Sequence, residues 1–106
     1  MNDRTLLELA ARAAGIDPVL AEPINLSTGV EYYWNPRDDD GDALRLAVTR
    51  GLVVTPDRDN QRTLVSNSAG HEYCAIYWDQ LGEMAATRLA ITEAAAEIGK
   101  NMGGGE

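Results

Sequence analysis

The stretch Tyr32–Leu52, YYWNPRDDDGDALRLAVTRGL, decides the fold, because it joins an aromatic segment, a proline turn, an acidic run and a helical pattern. Residues 30–34 (VEYYW) are rich in β-preferring side chains, and Pro36 cannot donate a hydrogen bond to a sheet. The sequence therefore predicts a strand that ends at Asn35. The Asn-Pro step favours a turn immediately after it.

The residues after this turn predict a helix with an acidic N-terminus. Apolar residues at spacings of three and four indicate one buried face, and they are Ala43, Leu44, Leu46, Ala47 and Val48. Arg50 falls in the last turn, and Gly51 suits the left-handed position that ends a helix. One aspartate is expected to be the N-cap, while the others favour the positive end of the helix dipole. The candidates are Asp38, Asp39, Asp40 and Asp42.

The whole chain predicts an α+β fold in the order α-β-α-β-β-β-α. Three helices are expected to pack with a three-to-four-stranded, mainly antiparallel sheet as a layered sandwich. One domain over residues 1–102 is expected, with a flexible glycine-rich tail at 103–106. The predicted helices are Asp3–Ala14, the helix after the acidic run, and a long one from about Leu81 to Asn101. The other predicted strands are Leu52–Thr55, which Pro56 stops, Arg62–Ser66 and Glu72–Trp78, and an irregular connection covers Val19–Gly29.

The string WNPRDDDGDALRLAV, followed by Gly51 and Leu52, resembles a motif of small phage and prophage proteins grouped as the phage ABA sandwich domain. LLELAARAAGID near the start and ATRLAITEAAAEIG near the end resemble the same proteins, whereas the region from about Thr55 to Gly70 does not. The resemblance implies a phage origin and layers of helix, sheet and helix. It implies no activity, and no catalytic residue is carried over.

The charge of the chain narrows the classes of partner. Seventeen acidic residues against nine basic ones give a formal charge of −8. Direct binding to nucleic acid is disfavoured, because phosphate contacts need clustered Lys and Arg. The acidity has two interpretations, a solvated surface or a surface that meets a basic partner, and net charge alone does not separate them.

The N-terminus and the single cysteine predict a location. Cys74 is the only cysteine, which is typical of a reducing compartment. Asp3, Arg4 and Glu8 interrupt the segment where an export signal needs an apolar run, and no run approaches the roughly 18 apolar residues of a membrane span. A location in the cytoplasm of the host cell, away from the membrane, is therefore expected.

Patterns that could carry chemistry fail on spacing. If DDDGD is aligned as a calcium loop, Pro36 takes the first ligand position and Ala47 the last, so helix capping is favoured over a weak cation site. His71 and Cys74 are three apart in a predicted strand, which places them on opposite faces. Serines near His71 lack an orienting group and an oxyanion motif. The sequence therefore predicts no metal, no cofactor and no enzymatic activity.

All six aromatic residues lie on or at the end of a predicted strand. Alternation along a strand places Tyr73 and Tyr77 on one face and Trp78 on the other. Rings that no helix covers would form a recognition surface, and the alternative is that most belong to the core. The last helix has two similar interpretations, packing on its own sheet or against a second copy as a homodimer. Its stripe consists of Met84, Ile91, Ala95, Ile98 and Met102.

Two functions from different classes fit these patterns. The first is a small acidic phage accessory protein that binds a host or phage protein without catalysis, for example as an anti-CRISPR-like inhibitor of a nucleic-acid-handling defence complex. Its candidate partner-binding residues are Asp38, Asp39, Asp40, Tyr33, Trp34, Tyr73 and Tyr77. The second is a protein that holds a small nucleotide-like anion between strand aromatics and Arg37 or Arg62.

Overall fold

A computed structural model describes residues 3–15 and 34–102, which form three helices and a three-stranded antiparallel sheet. This confirms the α+β fold class. The described elements follow the order α-α-β-β-β-α, and Trp34 and Asn35, the last residues of the first predicted strand, are not in a strand. None of the described helices is long and apolar enough to cross a membrane. The connection over 19–29, Tyr32 and Tyr33 of the first predicted strand, and the tail at 103–106 lie outside the described residues. In chain order the elements are α1 (Asp3–Ala14), α2 (Asp40–Arg50), β1 (Val53–Asp57), β2 (Arg62–Ser66), β3 (Glu72–Tyr77) and α3 (Glu83–Met102).

Helix α2 begins and ends as its sequence predicts. Asp39 is the N-cap, in an extended conformation, and its carboxylate accepts a hydrogen bond from the Asp42 backbone N–H at 2.7 Å. Gly51 adopts the left-handed conformation at φ 62°. The N–H of Leu52 then reaches back to the carbonyl of Ala47 at 2.9 Å, which satisfies a carbonyl in the last turn.

The sheet has the order β1-β2-β3, and β1 lies at an edge. The prediction that Pro56 stops β1 is wrong, because the strand continues through Pro56 to Asp57. An edge strand tolerates proline, since only one of its sides must supply hydrogen bonds to a neighbour. Other boundaries shift by one or two residues: β1 begins at Val53, β3 ends at Tyr77, and α3 runs from Glu83 to Met102. Before α3 the Gly82 N–H donates to the Trp78 carbonyl at 2.8 Å.

Helix α3 occupies the centre of the described structure. It packs against the sheet on one side, while α1 and α2 pack chiefly against α3. Small residues permit this close packing, because several alanines of α1 and α3 are fully buried. The alanines with no exposed surface are Ala10, Ala11, Ala86, Ala90, Ala94 and Ala95.

The sheet register separates an inner from an outer face. Thr55, Leu64 and Ala75 oppose one another on the outer face, away from the buried Thr63 and Val65. The pairing is irregular between β2 and β3, because Ser66 pairs with Glu72 and Val65 with Cys74, which leaves Tyr73 as an extra residue. A bulge of this kind interrupts alternation. Tyr73 therefore packs against the hydrophobic core while Tyr77 is 55% exposed, which contradicts the prediction that they share a face.

Candidate protein-docking groove

An apolar groove runs between α2 and α3. Each helix contributes residues at positions i, i+3, i+4 and i+7, so each wall is one continuous stripe. The volume of the groove is ≈ 320 Å³. Its lining consists of Asp40, Ala43, Leu44 and Ala47 from α2, Met84, Thr87, Arg88 and Ile91 from α3, and Val54 from β1.

Two large apolar side chains of this lining are open to solvent. Leu44 is 65% exposed and Met84 is 55% exposed, whereas Ala43, Ala47 and Ile91 are buried. Exposed apolar residues scattered singly are ordinary on a protein surface, but here they adjoin a concave apolar lining. We call these nine lining residues, all from the described part of the chain, the α2/α3 groove.

The helical pattern predicts Leu44 and Val48 on the buried face of α2, and the structure contradicts this prediction. Val48 is 72% exposed, and only Ala43, Leu46 and Ala47 among the five apolar positions are buried. Five apolar residues in six positions form a stripe wider than one packing partner covers. The packing of α2 on α3 selects which part of that stripe is buried.

The polar atoms of the groove are engaged. The Arg88 guanidinium pairs with the Asp40 carboxylate at 2.7 Å and donates from Nε to the Arg37 carbonyl at 2.7 Å. Thr87 donates its hydroxyl hydrogen to the Glu83 carbonyl at 2.7 Å. Arg88 is mostly covered, with its side chain 20% exposed, while the Asp40 side chain is 62% exposed. The groove therefore presents a carboxylate more openly than it presents its cation.

The acidic run lies at this end of α2, and each of its carboxylates has a structural contact. Asp38 accepts a hydrogen bond from Asn35 Nδ2 at 2.8 Å, Asp39 caps α2, and Asp40 pairs with Arg88. These contacts confirm that capping accounts for part of the run. Asp38, Asp39 and Asp40 nevertheless stay exposed, so their charge still acts on anything that approaches the groove.

Asp42 has a structural role that no pattern in the sequence predicts. It is buried, and its carboxylate accepts hydrogen bonds from the Asn35 backbone N–H at 3.0 Å and from Arg45 Nη2 at 2.7 Å. A buried carboxylate is stable only when such donors compensate for its lost hydration. The hydrogen bond from Asn35 to Asp42 thus connects the Asn-Pro turn to the first turn of α2 and positions the acidic run beside the groove.

The aromatic residues proposed for partner binding differ in their exposure to solvent. Trp34 is 3% exposed and belongs to the core, so its ring offers no surface to a partner. Tyr33 lies outside the described residues. Tyr73 is half-buried and meets the His71 ring edge-on at 5.1 Å, and only Tyr77 is an exposed ring on the sheet. Of the described aromatics, Trp34, Tyr73 and Tyr77 do not line the α2/α3 groove.

Arg62, one of the two arginines proposed for anion binding, is already paired with a carboxylate, whereas Arg37 takes part through its backbone carbonyl. Arg62 Nε contacts Asp57 at 3.0 Å, and its guanidinium lies 6.0 Å from the Tyr77 ring centroid. Hydrogen bonds from Asn60 and Arg62 lower the pKa of Asp57, and the bond to Asp57 raises the pKa of Arg62. The backbone carbonyl of Arg37 accepts a hydrogen bond from Arg88 Nε. The contacts of Arg62 are with its own strand neighbours, and neither Arg37 nor Arg62 lines the groove.

The described residues show little sign of a reactive nucleophile or of a metal site. Burial raises the pKa of the Cys74 thiol to about 12, and Sγ donates to the Ala90 carbonyl at 3.2 Å. A thiol with such a pKa stays protonated at neutral pH and is a poor nucleophile. No cluster of three or more His, Cys, Asp or Glu residues that could hold a metal ion occurs within 3–15 and 34–102.

Neither a protein-family model, nor a curated protein, nor a solved structure matches this chain. The resemblance to the phage ABA sandwich domain, carried by WNPRDDDGDALRLAV, stays a prediction.

Proposed function

We propose that the chain is a non-enzymatic protein-binding module and that the α2/α3 groove is its docking surface. The observation that carries the proposal is the exposure of Leu44 and Met84 over an apolar lining, beside the exposed carboxylates of the acidic run. Apolar surface of this kind gains free energy when a partner removes it from water, at about 25 cal/mol per Å². Concave apolar surface with charge at its margin is a typical arrangement for protein recognition.

The charges indicate the class of partner. The chain carries a formal charge of −8, and the exposed side chains of Asp39 and Asp40 stand at the start of α2. A basic protein surface complements these charges, which speeds association and rejects acidic partners. Host proteins that handle nucleic acid expose basic surface. The proposal is therefore a phage accessory protein that inhibits such a defence complex, in an anti-CRISPR-like manner, by stoichiometric contact in the host cytoplasm.

Affinity capture from a bacterial lysate tests the proposal with two matched variants of one helix. Leu44→Asp places a charge in the groove, whereas Val48→Asp places the same charge on the same helix outside the groove lining. Both residues are largely exposed, so neither change should unfold the domain. We expect a specific protein to be retained by the wild type and by Val48→Asp, and to be lost with Leu44→Asp. Equal retention by all three proteins would show that the groove is not the docking surface.

Salt dependence tests the role of the acidic margin. Charges exposed to solvent are screened beyond about 10 Å at 0.1 M ionic strength, so capture should weaken as salt rises. Capture that depends on Leu44 but is indifferent to salt would leave the groove as the docking surface and reject the basic partner.

A further inference from the structure

We infer that the occupant of the α2/α3 groove is an amphipathic α-helix that carries Lys or Arg beside its apolar face, rather than an extended peptide. This inference rests on the proposed function, because it names the conformation and chemistry of the segment that the groove would bind. Three independent properties of the groove support it: its shape, its lack of available backbone partners, and its charge.

The shape of the groove matches a helix. Its walls are the stripes Asp40–Ala47 and Met84–Ile91, each with residues at i, i+3, i+4 and i+7. At 1.5 Å per residue, such a stripe is about 10 Å long, or two helical turns. Side chains at i, i+4 and i+7 of a third helix would fit between the two ridges, as in helix-in-groove recognition.

The groove offers few backbone partners to an extended peptide, because only N–H groups in the first turn of each helical wall lack a partner within the helix. Both walls are helices whose interior N–H and carbonyl groups are already paired within the helix. The polar side chains are also engaged, since Thr87 donates to Glu83 and Arg88 bonds to Arg37 and Asp40. An extended segment would lose water from its peptide groups without replacement, which is costly, whereas a helix satisfies those groups internally.

Strand addition beside the groove is also disfavoured. Val54 of β1 lines the groove, but Pro56 stands two residues later in the same five-residue strand. Proline has no N–H, so a strand that added to β1 on the side away from β2 would find a donor missing near the middle of the ladder. The occupant is therefore expected to use side chains, which again favours a helix.

The charge at the groove predicts cations on the occupant. Arg88 is neutralised by Asp40 at 2.7 Å and is mostly covered, while the carboxylate side chains of Asp39 and Asp40 are more than half exposed. At the start of α3, Glu83 pairs with Arg58, which is 77% exposed, so this pair adds no net charge. Arg45 is 72% exposed and lies 4.0 Å from Asp39, but the exposed carboxylates of the acidic run outnumber it. Lys or Arg flanking the apolar face of the occupant would meet this remaining negative charge.

A defined synthetic peptide tests the inference on the full chain. The probe is a lactam-bridged helix of about 14 residues, with leucines at i, i+4 and i+7 and lysines beside them. One control peptide carries proline at its centre, which breaks the helix, and another carries glutamate in place of each lysine. Binding is measured by isothermal titration calorimetry against the wild type, Leu44→Asp, Val48→Asp, Met84→Gln and Met102→Gln. Met102, at the end of α3, is 51% exposed and matches the exposure of Met84 without lining the groove.

We expect the lysine helix to bind the wild type, Val48→Asp and Met102→Gln alike, and to bind Leu44→Asp and Met84→Gln about tenfold more weakly or worse. The proline and glutamate peptides should bind about tenfold more weakly than the lysine helix. Equal binding of the proline peptide would overturn the helical conformation, and equal binding of the glutamate peptide would overturn the basic character.

Two further outcomes would overturn the inference itself. The first is that the lysine helix does not bind, or binds Leu44→Asp as well as the wild type. If the protein captured from lysate is still lost with Leu44→Asp, the proposed function stands and only the nature of the occupant is wrong. The second is a dimer in analytical ultracentrifugation that Leu44→Asp dissociates and Val48→Asp does not, which would make the occupant a second copy of this chain.

Discussion

Trp78 donates its indole N–H to the hydroxyl of Thr63 at 2.9 Å, in a region where Thr63 is fully buried. The Thr63 hydroxyl lies 2.6 Å from the Thr87 hydroxyl, which itself donates to the Glu83 carbonyl. Each hydroxyl has one hydrogen, so Thr63 must donate to Thr87. The resulting chain of hydrogen bonds runs from the turn after β3 through β2 into α3, and it joins the sheet to the helix that forms one wall of the groove.

Thr63→Val should therefore destabilise the protein by about 1–3 kcal/mol, because the change keeps the shape of the side chain but leaves the Trp78 N–H buried without an acceptor. Urea denaturation measures the loss. Thr55→Val on the exposed edge strand is the control and should change the free energy of unfolding by less than about 0.5 kcal/mol. In a Trp78→Phe background, Thr63→Val should cost less than it does alone. A full and undiminished cost there would show that the penalty does not arise from the indole hydrogen bond.

Asp39→Ala should lower the free energy of unfolding by about 0.5–2 kcal/mol, because it removes the side chain that caps α2. Asp39→Ser should restore most of the stability, since serine is also a good N-cap. Thermal unfolding measures both variants. Calcium should leave the melting temperature of the wild type unchanged. A rise of several degrees would instead support a weak cation site in the acidic run.

The features that the sequence predicted are those set by local interactions. The Asp39 cap, the left-handed Gly51 and the turn between β1 and β2 depend on residues close in the chain, so short patterns are sufficient to identify them. The exposure of Leu44 and the extra residue Tyr73 depend on how α2 meets α3 and how β2 pairs with β3. Such tertiary choices leave no periodic signal in one sequence.

The candidate site was hidden for the same reason. The charge of the aspartates identifies one end of the groove, but the helical pattern predicts Leu44 and Met84 on apolar stripes of the kind that form a core. Trp34 is a candidate partner-binding residue by sequence, but in the structure it is buried. The packing of α2 against α3 decides which residues of these stripes are buried and which are exposed.

Cys74 should make the protein less stable at alkaline pH. Burial raises the pKa of its thiol from 9.0 to about 12, so the folded state favours the protonated form. The stability from this preference is fully present below the ordinary pKa and is lost as the pH rises toward about 12, because the unfolded chain ionises first. Denaturation of the wild type and Cys74→Ala between these values isolates the effect from other titrating groups. If the two proteins show the same dependence on pH, the buried thiol is not its source.

Gly99→Ala should be the most damaging glycine-to-alanine substitution among the described glycines, because Gly99 is where α3 touches α1. A methyl group at this position would overlap the carbonyl oxygen of Leu9, which belongs to the backbone and cannot turn aside. We expect a loss of roughly 3 kcal/mol or more, or failure to fold, since overpacking here must separate the two helices. Gly41→Ala is the matched control within α2: its new methyl would meet only the side chains of Arg45 and Asp39 at 3.3 Å, and alanine favours helix by about 1 kcal/mol. Chemical denaturation should show Gly41→Ala close to the wild type and Gly99→Ala far below it. Equal stability of the two variants would mean that α1 and α3 do not pack at Gly99.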